Sequence, residues 1–162
     1  MMIAAHVMST DLVSLTIDAS LGDAIELFRS SPLHDFPIVD KEGRPVGLVT
    51  ARSILHFAVP SYASSDLLAV MKGGPDIGSV YKALEMKQKN SVRDVIDRSF
   101  EVVTAGMATS AVAAMLINLK GDTHNVLVVD DEGVLIGIIS ARDIICRDGS
   151  VTATNSPLDN TF

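Results

Sequence analysis

Residues 38–55 of this 162-residue chain read IVDKEGRPVGLVTARSIL, and residues 128–145 read VVDDEGVLIGIISARDII, an ungapped match at an offset of 90. Eight of the 18 positions are identical: Val39/Val129, Asp40/Asp130, Glu42/Glu132, Gly43/Gly133, Gly47/Gly137, Ala51/Ala141, Arg52/Arg142 and Ile54/Ile144. Five of the other ten exchange one aliphatic residue for another, and Thr50 is exchanged for Ser140. A chain that carries the same segment twice is constrained first by that duplication. Its length suits two small repeats that share a core.

Each copy reads as strand, turn, strand, helix. Ile38-Val39 and Val126–Val129 are β-branched or aliphatic runs that suit buried strands. Asp40–Gly43 and Asp130–Gly133 supply hairpin turns, in which glycine takes φ > 0 without steric cost. Val46–Val49 and Leu135–Ile139 form the next strands. Thr50 and Ser140 then stand where a helix N-cap belongs, and Asp143 completes a capping box with Ser140.

The repeat extends upstream at an offset of 88, where Val7-Met8 matches Val95-Ile96 and Thr16 matches Thr104. Short strands are expected at Leu12–Leu15 and Phe100–Val103. An amphipathic helix follows each: Ser20-x-x-Asp23 caps the first, with Leu21, Ala24, Ile25 and Phe28 on its apolar face. Val112, Met115, Leu116 and Leu119 serve the second. The expected organisation is repeat 1 over residues 1–60, a helical connector over 61–90, repeat 2 over 91–148 and a loosely ordered tail over 149–162. In the connector, Gly73-Gly74-Pro75 ends any helix begun at Asp66–Met71. A second helix there would bury Ile77, Val80, Tyr81, Leu84 and Gln88 and expose Lys82, Lys87 and Lys89.

Composition narrows the function. Half the chain is apolar (48%), but no run approaches the roughly 18 residues of a membrane span. The N-terminus lacks a basic stretch followed by an apolar one, which argues against a secretory signal. The single cysteine, Cys146, cannot form an internal disulfide, so a cytoplasmic location is expected. A net charge of −7, only 4% aromatic residues and no tryptophan disfavour nucleic acid. Cys146 has no histidine at a recognisable spacing, His6, His34, His56 and His124 have no zinc spacing, and Gly73-Gly74-Pro75 lacks the Lys-[ST] of a phosphate loop. No catalytic activity and no metal are expected.

The two copies of V-M-x-x-(D)-h-h-x-h-T, followed by h-h-V-D-x-E-G-x-x-h-G-h-h-[ST]-x-R-[DS]-h, resemble the CBS-domain family, named after a regulatory region of cystathionine β-synthase. The resemblance covers all but the connector and tail. It implies an α+β fold of two β-α-β-β-α repeats packed sheet to sheet with pseudo-two-fold symmetry. It also implies AMP, ADP or ATP as regulatory ligand with no obligatory cofactor, a homodimer, and an unidentified regulated protein.

The same resemblance implies the site. An ionised carboxylate can accept from both hydroxyls of a ribose, and the family uses the Asp three residues after the Ser/Thr for this, here Asp143 after Ser140. The first helical turn adds free amides and a positive dipole end for phosphate. Read alone, Ser140 and Asp143 could equally be a helix cap. The rest of this main cleft would be Ile138, Arg142 and His124, with Val13, Leu33, His34, Phe36 and Pro37 from repeat 1 forming the adenine wall. His34 and His124 each lie six residues before the Asp of V-D, where relatives place a cation for phosphate. The next position, often Arg in relatives, is Asp35 or Asn125 here, which favours AMP or ADP over a triphosphate.

The second cleft, around Thr50, Ser53 and Arg52, departs from the pattern. Ser53 stands where Asp143 stands, and Glu101 replaces Val13. Losing an acidic acceptor for two hydroxyls costs on the order of 1.5–3 kcal/mol, or roughly ten- to a hundredfold in affinity. Two unequal sites are therefore expected. The competing readings are a ligand-free dimerising scaffold, or the same cleft holding S-adenosylmethionine, NAD or a cyclic dinucleotide.

Overall fold

The computed structural model describes residues 1–59 and 77–147; Asp66–Met71, Gly73-Gly74-Pro75 and the tail at 149–162 lie outside the described residues. Its elements in chain order are α1 (Ala4–Val7), β1 (Leu15–Thr16), α2 (Leu21–Ser30), β2 (Asp35–Val39), β3 (Pro45–Thr50), α3 (Ala51–Ala58), α4 (Ile77–Met86), a 3-10 turn (Val92–Asp94), β4 (Val102–Thr104), α5 (Thr109–Ile117), β5 (Asn125–Val129), β6 (Leu135–Ser140) and α6 (Ala141–Ile145). Two three-stranded sheets result, ordered β1-β2-β3 and β4-β5-β6. In each, the first pair is parallel and the second antiparallel, in the same relative register. The expected α+β repeat fold is the fold adopted.

The strands are apolar almost without interruption because both of their faces are buried. Successive side chains point to opposite sides of a sheet. Phe36, Ile38 and Val49 thus enter a first core with Leu21, Ala24 and Ile54 of the helices. Val126, Val128 and Ile139 enter a second core with Val112. The residues between them face the sister sheet: Leu48, Leu127 and Leu135 form a third buried cluster, with Leu12, Val39, Phe100 and Ile138 packed around it.

The opening segments of the repeats cross over. Ala4 and Val7 of α1 complete the second core, whereas their counterparts Val92 and Val95 complete the first. Backbone bonds follow the same exchange. Ala4 N donates to Met107 O at 2.7 Å, and Val92 N donates to Ala19 O at 3.1 Å. Ser9 and Ile138 exchange two hydrogen bonds (2.9 and 3.0 Å), as do Asp97 and Leu48 (both 2.8 Å). Met8 and Ile96 lie directly over Gly137 and Gly47, where a side chain on the strand would collide with them. That close approach is why both copies carry glycine inside a strand.

Local chemistry sets the boundaries. Gly43 and Gly133 turn at φ 82° and 83°, and in each turn the preceding Asp accepts from two backbone amides, Asp40 from Glu42 and Arg44, Asp130 from Glu132 and Val134. Ser20 and Asp23 form the expected capping box. The first strand of each repeat starts later than Leu12 or Phe100, and β1 is the shorter. Leu127 N donates to Glu101 O at 3.0 Å, but its counterpart Pro37 has no N–H to offer Val13.

On α4, Leu84 packs on the first core, while Tyr81 is 65% exposed and Gln88 lies beyond the helix, exposed. These two do not belong to the buried face. Lys87, expected in solvent, is half-buried: its Nζ donates to Phe57 O at 2.8 Å and lies 4.3 Å from the Phe57 ring centroid. Carbonyls at the C-terminal end of a helix carry negative potential, and the ring face adds to it.

Gly47→Ala would place a methyl group 2.8 Å from the Asp97 carbonyl oxygen, a backbone atom that cannot swing away. The substitution is expected to destabilise the protein by about 1–3 kcal/mol. Gly137→Ala meets mainly the Met8 side chain and should cost less. Urea unfolding of the two variants beside the wild type measures both.

Candidate functional site

The residues at the centre of the module belong to both repeats. Asp35 opens β2 and Asn125 opens β5, at equivalent positions 90 apart. Their side chains meet: Asn125 Nδ2 donates to Asp35 Oδ1, and His124 N donates to Asp35 Oδ2 at 3.1 Å. The rings of His34 and His124 stand edge to face with centroids 6.4 Å apart. Contact between equivalent residues places the pseudo-two-fold axis between these pairs. Asp35 is only 2% exposed. Burial raises its pKa above the ordinary carboxylate value, and the bonds from His124 and Asn125 and the nearby imidazoles of His124 and His34 oppose that rise.

One strand out from this centre lie the two helix caps. Thr50 pairs with Asp35 across β2 and β3, and Ser140 pairs with Asn125 across β5 and β6. The row therefore runs Thr50, Asp35, Asn125, Ser140, with α3 and α6 starting at its ends. The caps differ. At Ser140 the Asp143 Oδ2 accepts from the Ser140 amide (2.7 Å) and hydroxyl (2.9 Å), and Asp143 N donates to Ser140 Oγ at 3.3 Å. Asp143 Oδ1 receives no hydrogen bond from any described residue. At Thr50 the Ser53 hydroxyl takes the same place: it accepts from Thr50 N at 3.2 Å and donates to Thr50 O at 2.8 Å. Ser53 N donates to Thr50 Oγ1 at 2.9 Å, and Thr50 itself is buried. The first cap thus closes with its hydroxyls engaged, while the second retains a carboxylate oxygen.

The arginines differ in the same sense. Arg52 pairs with Asp122 of the other repeat at 2.9 Å, so the side chain expected to reach phosphate is held in an inter-repeat ion pair. The Arg52 side chain is 80% exposed, and a pair so solvated contributes little to stability. The counterpart of Asp122 is Pro32, which offers no charge. Arg142 is exposed and forms no ion pair among the described residues.

His34, His124, Val13 and Leu33 are exposed, Val13 at 37% and Leu33 at 50%. No hydrogen bond among the described residues joins Val13 or Leu33 to Ser140 or Asp143. Phe36 does not form a wall of the cleft through its side chain. Its ring is fully buried, 4.7 Å from the Phe28 centroid, because alternation along β2 turns it into the first core. Pro37 is buried, and half-buried Ile138 packs in the inter-sheet cluster. Glu101 borders a hollow of about 250 Å³ with Ala114, Met115 and Asn118. A larger groove, about 540 Å³, lies at the start of α2 beside Gln88 and Lys89. Neither reaches the caps.

Sequence reading missed the Asp35–Asn125 link and the Arg52–Asp122 pair. The one available signal for the first was a carboxylate and an amide at equivalent positions, each immediately ahead of an apolar strand.

The CBS domain profile matches residues 4–59 and again 92–148. An uncharacterized protein of Methanocaldococcus jannaschii, MJ1426, is 31% identical over 139 residues, covering 79% of this chain and 80% of that one. Inosine-5'-monophosphate dehydrogenase of the same organism is 28% identical over 144 residues, which are 89% of this chain and 23% of the enzyme. Among solved structures, the CBS-pair protein CBSX2 from Arabidopsis thaliana superposes with a TM-score of 0.68 at 23% identity, covering 89% of this chain and 92% of that one. A structure of CBSX2 in complex with AMP gives 0.62 at 22% identity, over 89% and 93% of the two chains. With its two matched segments and their two equivalent sheets, the chain belongs to the CBS-domain family as a tandem pair.

Proposed function

We propose that the chain is a regulatory module that binds an adenine nucleotide at the Ser140–Asp143 cap, and that it is not itself an enzyme. The observation that carries this reading is the Asp143 carboxylate. Oδ2 is fixed by the Ser140 amide and hydroxyl while Oδ1 receives no hydrogen bond from a described residue. An oriented acceptor of this kind suits the paired hydroxyls of a ribose. Exposed Arg142 and His124 supply donors for phosphate, and Val13, Leu33 and His34 supply the opposite side from repeat 1. AMP bound to the structurally similar CBSX2 supports the ligand class.

AMP or ADP fits this cleft better than ATP, because Asp35 and Asn125 occupy the positions where further cations would serve a longer phosphate chain. The Thr50–Ser53 cleft is the weaker one, with Arg52 drawn to Asp122 and Ser53 closed on Thr50. Nucleotide that bridges the repeats favours one packing of the pair, and a partner protein reads the shift in population. A cytoplasmic homodimer that acts on a separate regulated protein completes the proposal. No helix among the described residues is long and apolar enough to cross a membrane.

A thermal-shift series with AMP, ADP, ATP, NAD and S-adenosylmethionine tests the reading. Ligand at about 100 times its Kd stabilises by about 2.7 kcal/mol, a rise of roughly 5–10 °C for a chain of this size. The rise should occur with AMP or ADP and disappear in Asp143→Ala. No rise with any of the five at millimolar concentration leaves the cap as a helix cap alone and favours a ligand-free scaffold. A second variant, Ser53→Asp, should add a second equivalent of bound nucleotide in titration calorimetry. Unchanged stoichiometry would show that the missing carboxylate is not what weakens the first cleft.

A further inference from the structure

We propose that Asp35 is a proton-operated latch between the two repeats, with Asn125 as the part that turns. Asp35 is the one buried carboxylate among the described residues, and its hydrogen-bond donors both belong to the other repeat. In the ionised form both oxygens accept, Oδ2 from the His124 amide and Oδ1 from Asn125 Nδ2. A proton on Oδ1 converts that oxygen into a donor facing the donor group of Asn125. The conflict is relieved when the Asn125 amide turns over and its Oδ1 accepts the new O–H. The repeats stay bonded in both states, but with opposite polarity across the axis. Asn125 is paired with Ser140 on the next strand, so the turn occurs beside the second cap.

The charged groups around this latch are few. His34 precedes β2 and His124 precedes β5, and any positive charge on either ring favours the ionised carboxylate. β3 contributes the uncharged Thr50. On α3, Arg52 is engaged with Asp122, and on α6 Asp143 is engaged with Ser140 beside the exposed Arg142. Burial is the largest influence on Asp35 and raises its pKa. The sign follows: a carboxyl with a raised folded pKa stabilises the fold in full below its unfolded pKa, and that contribution is lost as the pH rises through the folded value. Acidification therefore favours the protonated state of the latch, in which the Asn125 amide is turned over.

The test is an NMR titration of the wild type from about pH 3 to about pH 8, without nucleotide, following the Asp35 carboxyl carbon, the His124 amide and the Asn125 side-chain NH₂. Asp35 should titrate above the roughly 3.9 of a free aspartate, and the His124 and Asn125 signals should shift with the same midpoint. An Asp35 midpoint at or below that value overturns the proposal, as do His124 and Asn125 signals that follow only the imidazoles. In Asp35→Asn, where an amide pair can bond in one fixed polarity, the shared transition should vanish and the unfolding temperature should lose that part of its pH dependence. An unchanged pH dependence in this variant also overturns the latch. If the variant does not fold, the wild-type titration decides alone. Because no nucleotide is present, the result is independent of whether the cap binds one.

Discussion

The reciprocal exchange of opening segments is the constraint on which the rest of the module depends. Each three-stranded sheet has a helical face and a bare apolar face, and neither helical core is complete within its own repeat. Ala4 and Val7 fill the second core, and Val92 and Val95 fill the first. Once Ser9 is bonded to Ile138 and Asp97 to Leu48, the sheets can meet only with Leu48, Leu127 and Leu135 between them. That meeting brings Asp35 to Asn125 and His34 to His124, and it sets the two caps on either side of the axis. The site is thus a product of the exchange, not of either repeat alone.

Much of this was legible in the chain because duplication leaves a periodic trace. Turn glycines, cap hydroxyls and strand runs recur at an offset of 90, and each is a local signal with a local cause. What was not legible is non-local. An offset of 88 identifies Val7 with Val95 but cannot say that each enters the other's core. Likewise Asp35 reads as one polar residue among strand residues, and only the fold shows that it is closed off from water by its own counterpart. Lys87 belongs to the same class: its charge suggested solvent, whereas the carbonyl and ring at Phe57 that it meets lie 30 residues away in sequence.

The two halves are alike in backbone and unlike in chemistry, and a few side chains make the difference. Ser53 folds its hydroxyl back on Thr50, where Asp143 has an oxygen that no described residue engages. Asp122 engages Arg52, whereas its counterpart Pro32 offers Arg142 no charge. At the axis itself the symmetry is broken in charge, since a carboxylate faces an amide. Strict symmetry would set two carboxylates or two amides there. The like-charged pair could not stay ionised at such close range, whereas the Asp–Asn combination gives the single carboxylate a hydrogen-bond donor across the axis.

The exchange also changes what covalent continuity means for this molecule. Two separate chains, each carrying one repeat, could trade the same opening segments and close the same cores. The stretch between Val59 and Val92 joins the halves covalently, and within it Leu84 and Lys87 also pack on the first repeat. Covalent joining makes the pairing of the two halves intramolecular, and it fixes that the two partners are the unequal halves. An association that separate repeats would reach only at sufficient concentration is, in the joined chain, independent of dilution. The asymmetry of the two clefts can therefore persist, because no pairing of identical halves competes with it on equal terms.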